Sequence, residues 1–234
     1  MRAASPDAAA PCKGGAVRIG VLGGTGPAGK AVAARLASVG LDVIIGSRQL
    51  ERAQDTCGQL RDKWPDRDLP LRPAINPDAA DADLVIVATP WDAAAPTAAS
   101  LAAHLQGKVV VSMANALARV GDEFIALIPP RGSVAASVQA AIPGALVSAA
   151  LHHLAAADLG ALGHDLDADV LVCSDVPEAT RTTSELIAKV QGLRALDAGS
   201  LSNAAAIEAL TPVLLNINMR YKTRSSIRLT GIEA

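Results

Sequence analysis

The stretch that most constrains this chain is Val17 to Arg48, VRIGVLGGTGPAGKAVAARLASVGLDVIIGSR. Its first six residues form a largely apolar run rich in β-branched side chains, the composition of a buried parallel strand. Gly24-Thr25-Gly26-Pro27-Ala28-Gly29 follows at once and matches G-x-G-x-x-G. After it, Val32, Leu36 and Val39 recur at helical spacing until Gly40 closes the turn, and a second strand begins at Asp42. This order gives the glycines a purpose. The first bends the chain, the second lets backbone approach a pyrophosphate, and the third lets helix and strand pack closely. The helix start adds unpaired N–H groups and a positive dipole end.

The end of the second strand selects the dinucleotide. NAD-binding folds usually place an Asp or Glu about 20 residues beyond the glycines to accept from the ribose 2′-OH, and that carboxylate repels a 2′-phosphate. Here the position reads Gly46-Ser47-Arg48, without an acid. Arg48 can fork onto a phosphate, Ser47 can donate to it while capping the next helix, and Arg52 sits one turn further along on the same face. The pattern predicts NADP(H).

At 234 residues the chain can bury a sizeable core. A dinucleotide domain of about 150 residues leaves room for only a small second unit. Composition is 50% hydrophobic but 2% aromatic, so the core is built from Ala, Val, Leu and Ile, which suits parallel sheets more than nucleic-acid stacking platforms. With 21 Lys+Arg against 23 Asp+Glu, neither a general nucleic-acid role nor a membrane-surface role gains support. Cys12, Cys57 and Cys173 are odd in number and far apart, the usage of a reduced, cytoplasmic protein. No segment reaches the ~18 consecutive apolar residues of a membrane span.

Three regions follow: a flexible Ala-, Pro- and Gly-rich leader over 1–16, a dinucleotide domain over 17–151, and a small C-terminal domain over 152–234. The expected fold is α/β, a Rossmann-type doubly wound parallel sheet with a small C-terminal α/β domain. Six parallel strands end with those at Leu84–Ala88, Lys108–Met113 and Ala145–Ala150, the first of which delivers Thr89-Pro90-Trp91 to the carboxyl edge of the sheet. A helix is expected from about Ala93 to Leu105, and Leu117 to Arg131 carry no firm pattern. Asp175-x-Pro177-Glu178 reads as a capping box, and Pro212 predicts a kink or restart in the last long helix. His152, His153, His164 and Cys173 do not fall at zinc-site spacings, so no metal is expected.

The opening stretch together with Thr89-Pro90-Trp91, ALHH at Ala150 to His153, LDAGSLSNA at Leu196 to Ala204 and LTPVLLNIN at Leu210 to Asn218 resembles the NADPH-dependent coenzyme F420 reductases, also called F420:NADP oxidoreductases. The likeness runs from about Val17 to the C-terminus. The front motif alone is shared with a wider superfamily that includes pyrroline-5-carboxylate reductases. The resemblance implies hydride exchange between C5 of the deazaflavin F420 and C4 of the nicotinamide of NADP(H), usually by a homodimer. It implies that Thr25, Gly26, Pro27 and Ala28 hold the pyrophosphate, and Ser47, Arg48 and Arg52 the 2′-phosphate. Thr89, Ala93, Asn115 and Ala156 would line the adenosine and nicotinamide ends, and His152, Leu154 and Thr211 would border the deazaflavin. Two departures stand out: Pro27, where the family often has Asn, and Ser225-Ser226, where it commonly has Ala-Gly.

A deazaflavin passes hydride directly to nicotinamide, so no essential catalytic group is expected and the protein's task is to hold two rings at near-attack distance. His152 is the candidate hydrogen-bond donor to a deazaflavin carbonyl. Arg220, Lys222, Arg224 and Arg228 offer a field for the anionic tail of F420. The competing readings are a reductase of a small imine-type substrate and a non-catalytic NADPH-binding sensor. A short-chain dehydrogenase is disfavoured, because Tyr221 has Ser225 rather than Lys four positions on.

Overall fold

The β-branched runs of the sequence become the centre of one sheet. A computed structural model describes residues 17–232; the leader expected over 1–16, with Cys12, lies outside them. In chain order the first half comprises β1 (Arg18–Leu22), α1 (Pro27–Ser38), β2 (Asp42–Ser47), α2 (Leu50–Lys63), β3 (Leu71–Ile75), α3 (Asn76–Ala80), β4 (Leu84–Val87), α4 (Trp91–Ser100), α5 (Ala102–Leu105) and β5 (Val109–Ser112). There follow β6 (Leu117–Val120), β7 (Glu123–Ala126), α6 (Val134–Ala141), β8 (Leu146–Ala149), α7 (Ala156–Leu159), β9 (Ala168–Ser174), α8 (Pro177–Ala188), β10 (Leu193–Asp197), a 3₁₀ turn (Leu201–Asn203) and α9 (Ala204–Tyr221).

The sheet order is β10-β9-β8-β5-β4-β1-β2-β3. From β1 the chain steps outward through β2 and β3, then returns to β4 and steps the other way through β5 and β8, all parallel. The reversal lies between β1 and β4, and ligands of such sheets bind outside the carboxyl ends of the strands at that point. Both faces are covered, as a parallel sheet requires. One apolar cluster joins the sheet to α1, α2 and α8, and a second joins it to α3, α4 and α6.

The expected C-terminal unit meets a continuous arrangement. β9 pairs antiparallel with β8 through Ser148↔Ser174 and Ala149↔Cys173, and β10 runs parallel to β9, so these strands extend the first sheet. The patternless segment is an antiparallel hairpin, β6–β7, turned at Gly121 with φ 59. Its strands are too short and too exposed for alternation to register. α9 supports the hairpin through Asn216, whose Oδ1 accepts from Phe124 N–H and whose Nδ2 donates to Phe124 C=O, both at 2.8 Å.

Three local expectations are corrected. The helix expected from Ala93 starts at Trp91 and breaks at Leu101 into α4 and α5. α9 runs through Pro212 as one element, so the helix does not restart there; proline forfeits one backbone bond and packing supplies the rest. Asp175 caps no helix: α8 begins after Val176, and Asp175 Oδ1 instead accepts from Leu201 N–H at 3.0 Å, drawn to the start of the 3₁₀ turn.

Beyond α9 the chain runs along β9 as a strap. Asp169 N–H donates to Ile227 C=O at 2.7 Å, and Leu229 N–H donates to Asp169 Oδ2 at 2.6 Å. The Asp169 side chain is fully buried, and both its oxygens accept from Arg194, at 2.8 and 2.7 Å. Three of the four tail cations offered above to an anionic ligand, one of them at the end of α9, are paired within the chain. Arg228 pairs with Asp167 and Asp169, Arg224 with Asp158 and Arg220 with Glu123, pairs that lie partly in solvent.

Candidate functional site

The glycine turn sits at the reversal point, and its geometry separates packing glycines from an open one. A Cβ on Gly29 would stand 2.3 Å from Gly23 O, so only glycine lets α1 start this close to β1. A Cβ on Gly26 would meet nothing nearer than Gly23 O at 3.4 Å, so the protein itself leaves that side open. Gly26 is also the N-cap of α1 and provides no side-chain capping bond; Pro27 occupies the first turn, where its missing N–H is no loss. Thr25, Gly26 and Ala28 are half-buried around this uncapped end. An open face, an uncapped helix start and backbone N–H donors fit a pyrophosphate.

At the end of β2 a Cβ on Gly46 would approach Ala79 Cβ to 2.9 Å and Asn76 Oδ1 to 3.1 Å, which leaves no room for a carboxylate there. Ser47 is buried and its Oγ accepts from Gln49 N–H at 3.3 Å. It is not the cap of α2, as the sequence suggested; Gln49 holds that position, because the helix starts at Leu50. Arg48 lies in the connection before α2 and Arg52 in its first turn, both exposed. The expected shared helical face is therefore corrected to two cations flanking one helix start.

On the other side of the reversal point, Thr89 follows β4 and abuts the turn: a Cβ on Gly23 would meet its Cγ2 at 2.9 Å. Its buried Oγ1 has no hydrogen-bond partner among the described residues. Ala93 is half-buried in the first turn of α4, and its N–H donates to Pro90 C=O. Ala156 opens α7 and shares with Pro27, Lys30 and Lys63 the lining of a cavity of about 230 Å³.

The remaining candidates converge from three distant segments. Asn115, after β5, donates through Nδ2 to His152 C=O at 2.8 Å. Thr211, on α9, brings its hydroxyl within 3.0 Å of Asn115 Oδ1 and 3.1 Å of His152 C=O. His152 follows Leu151, whose φ of 67 puts a bulky residue in the left-handed region, a strain of about 1–3 kcal/mol that recurs at functional sites. Leu154 is half-buried against the main core after the same turn.

Both imidazoles of the turn are neutral. Burial, then the neighbouring His153, pushes His152 down to about 3, and both its ring nitrogens lack partners among the described residues. Burial likewise lowers His153, whose Nε2 donates to Asp169 C=O at 3.0 Å. The rings stand edge to face with centroids 5.2 Å apart. His152 is therefore a neutral, buried ring with both nitrogens withdrawn from solvent.

Two residues escaped the sequence reading. Ser112 ends the apolar strand β5 with a buried Oγ that has no partner among the described residues; the signal was a hydroxyl closing a run of valines. Glu208 lies one turn before Thr211 and accepts from Val134 and Ala135 N–H at 2.8 and 3.0 Å, fixing α9 to the start of α6, while burial raises its carboxyl. A single acid in an apolar helix was its only trace. Among the described residues no group of three or more His, Cys, Asp or Glu side chains could hold a metal ion.

With this geometry in view, the comparisons with known proteins converge. The family described as NADP oxidoreductase, coenzyme F420-dependent, matches residues 18–116. The F420-dependent NADP reductase of Methanocaldococcus jannaschii is 36% identical over 93% of this chain and 100% of its own length. That of Methanothermobacter thermautotrophicus is 34% identical over 92% of this chain and 96% of its own. A solved structure from Arthrobacter sp. FB24 superposes with a TM-score of 0.76 over 92% of this chain and 100% of that one, at 24% identity, which speaks to the fold alone.

Proposed function

We infer the activity from one premise, that this chain belongs to the F420-dependent NADP reductase family. It is an oxidoreductase that exchanges hydride between NADP(H) and coenzyme F420. NADPH, a proton and oxidised F420 give NADP⁺ and reduced F420, the hydride moving between nicotinamide C4 and deazaflavin C5. The protein binds and orients. Thr25, Gly26, Pro27 and Ala28 receive the pyrophosphate; Ser47, Arg48 and Arg52 receive the 2′-phosphate; Thr89, Ala93, Asn115 and Ala156 line the rest of the dinucleotide. His152, Leu154 and Thr211 border the deazaflavin. In this reading residues 17–151 bind NADP(H), and 152–234 complete the F420 side.

The observation that supports the reading is the convergence of Asn115, His152 C=O and Thr211 in a fold whose glycine turn is left open on the Gly26 side. Purified protein mixed anaerobically with NADPH and F420 is expected to bleach the visible absorbance of the oxidised deazaflavin. Tight NADPH binding without bleaching would reject the activity and leave a sensor.

A cytoplasmic homodimer belongs to the same proposal. Cys57 and Cys173 are free and buried, and no described helix is long and apolar enough to cross a membrane. Val213, Ile217 and Tyr221 recur at four-residue spacing on α9, 50%, 36% and 76% exposed, a stripe that a second copy would cover. Sedimentation velocity is expected to give twice the chain mass for the wild type and the monomer for Ile217→Glu with its helix content intact. A monomeric wild type, or a variant that stays dimeric, would discard this surface.

A further inference from the structure

Arg35 is 6% exposed, a guanidinium taken almost wholly out of water inside α1. All four of its acceptors are backbone carbonyls of one segment. Nε donates to Leu159 C=O at 2.9 Å, Nη2 to Asp158 and Ala161 C=O at 3.0 and 2.7 Å, and Nη1 to His164 C=O at 3.3 Å. These are carbonyls at the end of α7 and in the loop beyond it, where the short helix leaves acceptor capacity unused. A helix of four residues has no stability of its own. Burying an arginine for it is expensive, and the planar fork of donors is what makes one side chain able to span four acceptors. At Gly160 a Cβ would come within 3.3 Å of Ala31 Cβ and of Ala156 O, so α7 rests directly on α1 at the place Arg35 clamps.

We propose that Arg35 is a positioning residue for the hydride transfer: it fixes α7, and with it the Leu154–Ala156 segment, at a set distance from the phosphate-binding end of α1. This rests on the reading given above of which residues meet the two coenzymes. Arg35 does not itself touch them. It lies more than two turns beyond Pro27, about 12 Å along the helix axis. What it controls is the separation of two ligand-bearing segments, Thr25–Ala28 and Leu154–Ala156, that belong to different parts of the chain. A misplacement of about 1 Å between reacting groups costs up to a hundredfold in rate, so a loosened α7 reduces turnover before it reduces dinucleotide affinity.

The test compares the full chain with Arg35→Lys, Arg35→Met and the milder Gly160→Ala, which crowds α7 against α1 but leaves the guanidinium in place. Hydrogen exchange is expected to speed up over residues 156–161 in Arg35→Met while α1 keeps its protection. With F420 and NADPH, kcat is expected to fall about tenfold in Arg35→Met and less in Gly160→Ala. The dissociation constant for NADPH stays within about threefold, and the isotope effect with 4,4-dideuterated NADPH rises because the transfer step itself has slowed. Loss of NADPH affinity in parallel with kcat, or unchanged exchange at 156–161, would overturn the role. If the wild type transfers no hydride to F420, the activity assigned above fails, yet the exchange experiment still tests whether Arg35 holds α7. If Arg35→Met does not fold, Arg35→Lys, which keeps the charge but loses the fork, carries the same readouts, and faster exchange at 156–161 with an unchanged kcat and isotope effect there would refute the positioning.

Discussion

Replacing Arg48 by alanine is expected to raise the KM for NADPH about a hundredfold and to leave that for NADH within about twofold of the wild type. The magnitude follows from the chemistry of the contact. A bidentate, charge-assisted bond between guanidinium and phosphate contributes about 2–3 kcal/mol, and every 1.4 kcal/mol is tenfold in affinity. Arg48 is exposed at the end of β2, where the carboxylate of an NAD-specific fold would stand. At Gly46, two residues earlier, a Cβ would crowd Ala79 and Asn76, so no side chain is accommodated there either. Selectivity therefore lies in a cation that attracts one dinucleotide, without an acid that repels it. Arg48→Lys retains the charge but loses the fork, and is expected to fall between the two. Arg52→Ala, further from the strand end, is expected to cost several-fold. The preference for NADPH should shrink as salt rises, because the pair faces solvent. Steady-state kinetics with both dinucleotides measure this, and an NADPH/NADH ratio unmoved by Arg48→Ala would refute the pocket.

The parallel half of this molecule was legible because its signals are local. Runs such as Leu84–Val87 and Val109–Ser112 are buried on both faces and read as continuous apolar segments, and the glycine turn is specified within six residues. The hairpin β6–β7 and the antiparallel entry of β9 depend on partners far away, Asn216 for one and β8 for the other, and no period in the sequence encodes them. The same holds for the site. Asn115 and Thr211 meet at the carbonyl of His152 across separations of 37 and 59 residues, and that carbonyl is the same in every amino acid, so only the resemblance could bring them together. Arg35 and Asp169 were invisible for a related reason. A charged residue in an apolar helix or strand reads as a solvated edge until its acceptors are known, and here these are carbonyls or arginines folded in from elsewhere.

The strap that Asp169 holds leads to the second large effect. Asp169→Asn is expected to lower stability by about 2–3 kcal/mol at neutral pH, roughly 5–10 °C in Tm for a chain of this size. The carboxylate is fully buried and accepts from Arg194, Arg228 and Leu229 N–H, so an amide there meets donors with a donor of its own. The figure lies below that of a sealed ion pair because the Arg194 and Arg228 side chains are 22% and 46% exposed and water can reach them. Arg194, and then the Leu229 N–H and Arg228, hold the carboxyl well below the usual carboxylate range against the pull of burial. A depressed folded-state value adds stability that is complete above the unfolded value, about 3.9, and is lost as pH falls toward the folded one. The gap between wild type and Asp169→Asn is therefore flat from about pH 5 to 8 and narrows below about pH 4. Urea titrations at pH 7 and pH 3 distinguish this from a simple packing defect, whose cost would not vary with pH; an unchanged gap at pH 3 would reject the electrostatic account. The consequence extends to the site, because the Asp169 carbonyl accepts from His153, which packs edge to face on His152. A strap loosened at Leu229 thus frees the turn that presents His152, and turnover with F420 should fall in Asp169→Asn more than NADPH affinity does.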